Sequence, residues 1–285
     1  MHCRKSLTRT LLAGAALTGS LLFAHLASAK PWTSVLVATE GAYEPWNTTL
    51  ANGEIAGFEP ELLKDLCGRM QMQCTLQAQD WDGMIAGLNA GKFDVMMDAI
   101  VVTPDREKVI AFGKPYAATQ GVFVSADQGL IASLPSNQII KLSGDQKADQ
   151  TVIDSLKPML KGKTIGIQSG TAYTDFIETN FKDIATIREY KKSGEHVMDL
   201  TAGRIDFAFD DVTFFTSVLE KPENTSVHMV GPKIGGPIWG PGEALAFRQG
   251  DQDLKARFDQ ALNAALADGT VRKLSQKWFK ADITP

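Results

Sequence analysis

The residue types best able to do chemistry gather first in Asp98-Ala99-Ile100-Val101-Val102-Thr103-Pro104-Asp105-Arg106-Glu107-Lys108-Val109-Ile110. An apolar run rich in β-branched residues stops at Thr103. Thr at an N-cap with Pro at the first helical position starts a helix. Val109 and Ile110 continue it, so Arg106 falls in the first turn. A cation is out of place there, because the free N–H groups of a helix start already carry partial positive charge. An anion held between Arg106 and those groups reconciles the two. An ion pair with Asp105 or Glu107 is the plainer alternative. Upstream, Glu40-Gly41-Ala42-Tyr43-Glu44-Pro45-Trp46 places an acid and two aromatics in a turn after the apolar strand 34–39. Loops at the carboxyl ends of strands are where open α/β sheets bind ligands.

These residues need a scaffold, and the chain supplies alternating elements for one. The order strand 34–39, helix 59–70, strand 74–79, helix 84–88 and strand 95–99 precedes the Arg106 stretch. After strand 121–125 the pattern fades over 127–161, apart from one helix near 152–160, and the stretch reads as a surface insertion. A second alternation follows: strand 164–167, helix 170–181, strand 185–190, helix 194–202, strand 204–210 and helix 211–219. Helices at 253–267 and 270–279 close the chain, divided by Asp268-Gly269. Repeated β-α units predict parallel sheets in two α/β lobes. Extended connections between two such lobes suggest a cleft that closes on a small ligand.

Composition limits what that ligand can be. Arg4, Lys5 and Arg9, an apolar run from Leu11 to Leu26, and Ala27-Ser28-Ala29 make residues 1–29 a secretory signal peptide. Cys3 precedes the apolar run, whereas a lipid-anchor cysteine would follow it. No later stretch is apolar enough for a bilayer span, so a soluble exported chain of about 256 residues is expected. Removing the leader takes the 29 basic residues to 26 against 33 acidic, a net charge near −7. That balance excludes nucleic acid as a partner and favours a cationic ligand. Cys67 and Cys74 remain, and an isolated pair in an exported chain reads as a disulfide. No further ligands surround them for zinc, and no cofactor is expected.

Several stretches now agree in order: Glu40-x-x-Tyr43-x-Pro45, Gly57-Phe58-Glu59, the Cys67 and Cys74 pair, Thr103-Pro104-x-Arg106-Glu107, Gly170-Thr171, Ala202-Gly203-Arg204-Ile205-Asp206, and Ala267-Asp268-Gly269-Thr270 through Trp278-Phe279. Together they resemble the polar amino-acid- and opine-binding proteins of bacterial ABC importers. Among these, the lysine/arginine/ornithine-, histidine-, octopine- and nopaline-binding proteins look nearest. The resemblance spans essentially the whole mature chain. It implies the two-lobed type II periplasmic binding fold, a periplasmic location, a monomer, and delivery of ligand to an ABC permease in the inner membrane. Lobe 1 is expected over 30–119, lobe 2 over 120–232 with its insertion at about 127–161, and a return to lobe 1 over 233–285.

The same resemblance assigns roles. Arg106 clamps the ligand's α-carboxylate, assisted by backbone N–H groups of Gly170, Thr171 and Ala172. The family often carries hydroxyls at the positions of Val101 and Ala172, and this chain lacks both. Ala99 and Val101 border the clamp. Asp211 takes the α-ammonium; its alternative is a helix N-cap, a role Asp210 could fill instead. Glu40, Tyr43, Trp81 and Asp98 form the side-chain pocket, with Trp81 and Glu40 suited to a guanidinium. The acid at Asp211 would repel the second carboxylate of an opine. The expectation is therefore a cationic amino acid, arginine or ornithine before lysine or histidine, with an opine as the alternative. An enzyme is less favoured, because no catalytic His or nucleophile motif appears. A membrane-receptor sensor domain is disfavoured by a chain that ends at Pro285 without a membrane segment.

Overall fold

The computed structural model describes residues 32–285, and the expected leader lies outside the described residues. Two sheets organise the chain. The first orders its strands Gln73–Ala78, Ser34–Thr39, Val95–Met96, Glu243–Phe247, Ala111–Ala117. Its first three are parallel, as the β-α alternation requires, and Glu243–Phe247 runs antiparallel to both neighbours. The second sheet orders Thr186–Tyr190, Thr164–Gln168, Phe207–Asp211, Gly121–Ser125, His228–Gly235, Ile139–Lys141. Helices cover the sheets through periodic apolar faces. Phe58–Met70, for example, buries Phe58, Leu62, Leu63 and Leu66, each worth about 1.5–3 kcal/mol of transfer free energy. The Cys67–Cys74 disulfide ties that helix to the strand Gln73–Ala78. No helix among the described residues is long and apolar enough to cross a membrane.

Three expectations are corrected. The segment 127–161 is not a surface insertion. It forms the helix Gln128–Ser133, the edge strand Ile139–Lys141 and the helix Gln146–Leu160. Ile153, Leu156 and Leu160 are core residues packed with Phe176, Phe181 and Trp239. The helix expected near 152–160 is present, and it begins earlier, at Gln146, where its exposed polar residues gave no apolar pattern.

The lobe 2 boundary at 232 cuts through the strand His228–Gly235. Lys233, Ile234 and Gly235 still pair with Ile139, Ile140 and Lys141. Beyond that strand, the Trp239 ring packs 4.8 Å from Tyr173. The chain then crosses back at Gly240-Pro241-Gly242, where φ is +63° at Gly240 and +124° at Gly242. A Cβ at Gly240 would stand 2.1 Å from the Val102 carbonyl, so only glycine fits.

The helix begun at Thr103 is a single turn, Pro104–Glu107, with the Thr103 hydroxyl accepting from Arg106 N–H. Val109 and Ile110 do not extend it. Ile110 is drawn into the core, and the strand Ala111–Ala117 begins at once. That strand carries Pro115, which its edge position tolerates. At the C-terminus, Gly269 with φ +80° is the N-cap of the last helix, and Thr270 is its first residue.

The lobes touch through aromatics near the cleft. Tyr43 stacks on Phe214 with ring centres 5.1 Å apart. Trp46 Nε1 donates to Thr213 Oγ1 at 2.9 Å.

Candidate functional site

A cavity of about 40 Å³ lies where the carboxyl ends of strands from both sheets meet. From the first sheet come Glu40 and Tyr43, after Ser34–Thr39; Trp81, after Gln73–Ala78; and Asp98, Ala99 and Val101, after Val95–Met96. Arg106 follows from the one-turn helix. From the second come Thr171 and Ala172 at the start of the helix Ala172–Phe181. Gly170 touches this group through its carbonyl. Asp211 is not among the lining residues. Three residues not expected at the site do line the cavity: Gln168, Tyr173 and Asp210.

Arg106 stands at one end. Its Nη1 donates to the Val101 carbonyl at 2.8 Å and its Nη2 to the Gly170 carbonyl at 3.1 Å, so one guanidinium touches both lobes. It lies 5.4 Å from the centre of the Trp81 ring, whose Nε1 donates across the cleft to the Ser169 carbonyl at 3.1 Å. Burial draws the guanidinium pKa down to about 10, which leaves it charged at neutral pH. With a single turn of helix behind it, the anion-binding capacity of this stretch rests on the guanidinium itself rather than on a helix dipole. Across the cleft, Thr171 and Ala172 at the start of the ten-residue helix Ala172–Phe181 line the same cavity. Thr171 caps that helix, accepting from Thr174 N–H at 3.1 Å.

The other end is acidic. Glu40 is buried and accepts from Gln168 Nε2 at 3.2 and 3.3 Å, and burial raises its carboxyl pKa to about 7. The neighbouring Asp98 uses one oxygen for three donors: Thr39 Oγ1 at 3.1 Å, Glu40 N–H at 2.9 Å and Asn47 Nδ2 at 2.9 Å. Its Oδ2 receives none from the described residues. Burial, then the charges of Glu59 and Glu40, hold this acid well above the usual carboxylate range. Ala99 sits beside it with φ +43°, a conformation uncommon for a residue with a Cβ. The Glu59 carboxylate holds it there by accepting Ala99 N–H at 2.7 Å.

Asp210 and Asp211 corrected the sequence reading most. Asp211 ends its strand one residue before the helix Val212–Leu219 and caps it. It accepts from Thr213 N–H at 2.6 Å, Thr213 Oγ1 at 2.5 Å and Tyr173 OH at 3.0 Å, and it is also bonded to the Thr119 hydroxyl. Asp210 is the residue on the cavity wall, the reverse of the expected roles. It too is saturated, meeting Tyr43 OH at 2.6 Å, Asp211 N–H at 2.7 Å, Ser193 Oγ at 2.5 Å and His196 Nε2 at 3.1 Å. The Asp211-x-Thr213 spacing was a sequence signal for the cap. Gln168 could have been found by the rule that pointed to Glu40, since it ends the strand Thr164–Gln168. Tyr173, inside a helix, carried no such signal.

Two α/β lobes with a cavity between their strand ends, an arginine at one end and acids at the other, define a binding protein for a small dipolar solute. Residues 35–281 match the family model of bacterial extracellular solute-binding proteins, family 3, and the chain belongs to that family. It is 38% identical over 271 residues to the octopine-binding periplasmic protein of Rhizobium meliloti, covering 88% of this chain and 92% of that protein. It is 30% identical to a putative ABC transporter arginine-binding protein 2 of Escherichia coli K12, covering 93% of this chain and 98% of that one. A crystal structure of a periplasmic His/Glu/Gln/Arg/opine family-binding protein from Silicibacter pomeroyi, in complex with lysine, aligns with TM-score 0.71 at 25% identity. The alignment covers 88% of this chain and 99% of that one. The fold is thus the type II periplasmic binding fold.

Proposed function

We propose that this protein is the periplasmic solute-binding component of an ABC importer. In this proposal it takes a guanidinium-bearing amino acid, arginine ahead of ornithine, lysine or histidine, and hands it as a monomer to an inner-membrane permease. The observation that carries the reading is the asymmetry of the cavity. Arg106 bonds only to two backbone carbonyls, which a ligand carboxylate can replace with stronger charge-assisted bonds. At the far end, Glu40 and Asp98 keep acceptor capacity that the protein does not use, which suits a planar cation with several N–H donors. Val101 and Ala172 add no hydroxyl at the clamp, so the carboxylate rests on Arg106 and on backbone N–H groups near Gly170 and Thr171.

An octopine-type opine is the second reading, and two observations favour it. Asp211, the acid expected to repel a second carboxylate, is occupied as a helix cap. The octopine-binding relative also shares the higher identity of the two reported. Calorimetric titration with arginine, ornithine, lysine, histidine, octopine and nopaline tests both. The reading stands if arginine or octopine binds at least about tenfold tighter than lysine and histidine, a difference of about 1.4 kcal/mol. It fails if none of the six binds.

A further inference from the structure

Two buried acids approach each other where the chain crosses between the lobes. Asp211 ends the lobe 2 strand Phe207–Asp211, and Glu243 opens the lobe 1 strand Glu243–Phe247. Each is 2% exposed. Thr119, in the other crossing, stands between them. Its hydroxyl is bonded to Asp211 Oδ2 and lies 2.9 Å from Glu243 Oε1.

A hydroxyl carries one hydrogen and donates once. Asp211 has three other donors, from Thr213 twice and Tyr173 once, and this is a setting for a carboxylate anion. Glu243 has nothing comparable. Its Oε2 is sealed without a hydrogen-bond partner, and no Lys, Arg or His among the described residues pairs with it. The titratable groups around it are the acids Asp211 and Glu59 and the phenols Tyr116 and Tyr173. Ionised, Glu243 would be a buried carboxylate held by its own backbone N–H alone, among like charges. Protonated, it donates from Oε1 to Thr119, and Thr119 donates to Asp211.

We propose that Glu243 is a positioning residue that works as a neutral carboxylic acid, bridging the lobes through Thr119 to Asp211 and thereby fixing the Tyr173 side of the ligand cavity. Tyr173 lines that cavity and donates its hydroxyl to Asp211, so the relay ends at the binding site. Burial, then the Asp211 charge, hold the Glu243 carboxyl well above the usual carboxylate range, which agrees with this arrangement. Loss of the proton at alkaline pH breaks the relay and loosens the contact between the lobes.

The test compares wild type with Glu243→Gln, which keeps a neutral donor, and Glu243→Ala, which does not. Infrared difference spectra of wild type minus Glu243→Gln at neutral pH need no ligand. They will show the carbonyl stretch of a protonated acid, and its absence overturns the proposal. Calorimetry with L-arginine and with octopine reads the positioning role and rests on the proposed function. Glu243→Gln will bind the better probe within about threefold of wild type, and Glu243→Ala at least about tenfold more weakly. Equal affinities for wild type and Glu243→Ala, or equal losses in both variants, overturn the role. If neither probe binds wild type, the functional reading has failed. The relay is then judged by the infrared band together with melting temperatures, with Glu243→Gln near wild type and Glu243→Ala clearly lower.

Discussion

The ionisable groups at the two ends of the cavity, Arg106 and Glu40, and the neighbouring acid pair Asp210 and Asp211 differ in how much of their bonding capacity the protein uses. Arg106 is bonded to two neutral carbonyls, and Glu40 to one carboxamide. Asp210 and Asp211, on the lobe 2 side, each meet four donors. The former can exchange weak partners for a ligand; the latter would have to lose strong ones. A charge in a cleft becomes a ligand group only if its existing partners leave capacity free, and residue type alone does not reveal that.

The largest expected effect breaks the comparison at its open end. Arg106→Ala removes the only cation on the cavity wall among the described residues, and calorimetry with the best ligand will show a loss of about 2–5 kcal/mol. A loss below about tenfold would mean that the carboxylate lies elsewhere. Glu40→Gln comes next, with a loss of about 1.5–3 kcal/mol for a guanidinium ligand, the worth of a charged hydrogen bond.

Glu40 also sets a pH dependence. Its folded pKa of about 7 lies above the ordinary glutamate value of 4.5. Across that window the folded chain keeps a proton that the unfolded chain has lost, so stability falls as pH rises, by about 3 kcal/mol at most. Affinity for a cation moves the opposite way and rises through the same window, with proton release on binding. Chemical denaturation and calorimetry in buffers of different ionisation enthalpy will separate the two trends, and Glu40→Gln will flatten both.

The saturated side answers differently. Asp211→Ala is expected to lower unfolding free energy by about 0.5–2 kcal/mol, the worth of an N-cap, while leaving the arginine-to-octopine preference unchanged. A large shift in that preference would return Asp211 to the ligand. The smallest effect on binding is expected from Cys67→Ser. In oxidising buffer it lowers the melting temperature, since the bridge closes a short loop, and leaves affinity within about twofold.

How far the sequence could be read follows the same division. The Arg106 stretch was legible because Thr103, Pro104 and Arg106 are local and their capping chemistry is short-range. Glu40, Trp81 and Asp98 line the cavity because they follow the carboxyl ends of strands in an α/β sheet, where the cleft opens. The exchanged roles of Asp210 and Asp211 were not legible, because they depend on where a strand yields to a helix, to within one residue. Ile139–Lys141 was missed because a short edge strand owes its existence to pairing with Lys233–Gly235, nearly a hundred residues away. The length of the helix at Pro104 was overestimated because Ile110 answers to the core rather than to the helix pattern.

The central claim is that one solute spans the cavity, with a carboxylate at Arg106 and a guanidinium at Glu40 and Asp98. Mass spectrometry of the small molecules released by denaturing protein purified without added ligand tests it most directly. The expected result is arginine or an N-carboxyalkyl derivative of it, in stoichiometric amount. A released solute that lacks either the carboxylate or the cationic group would contradict the account.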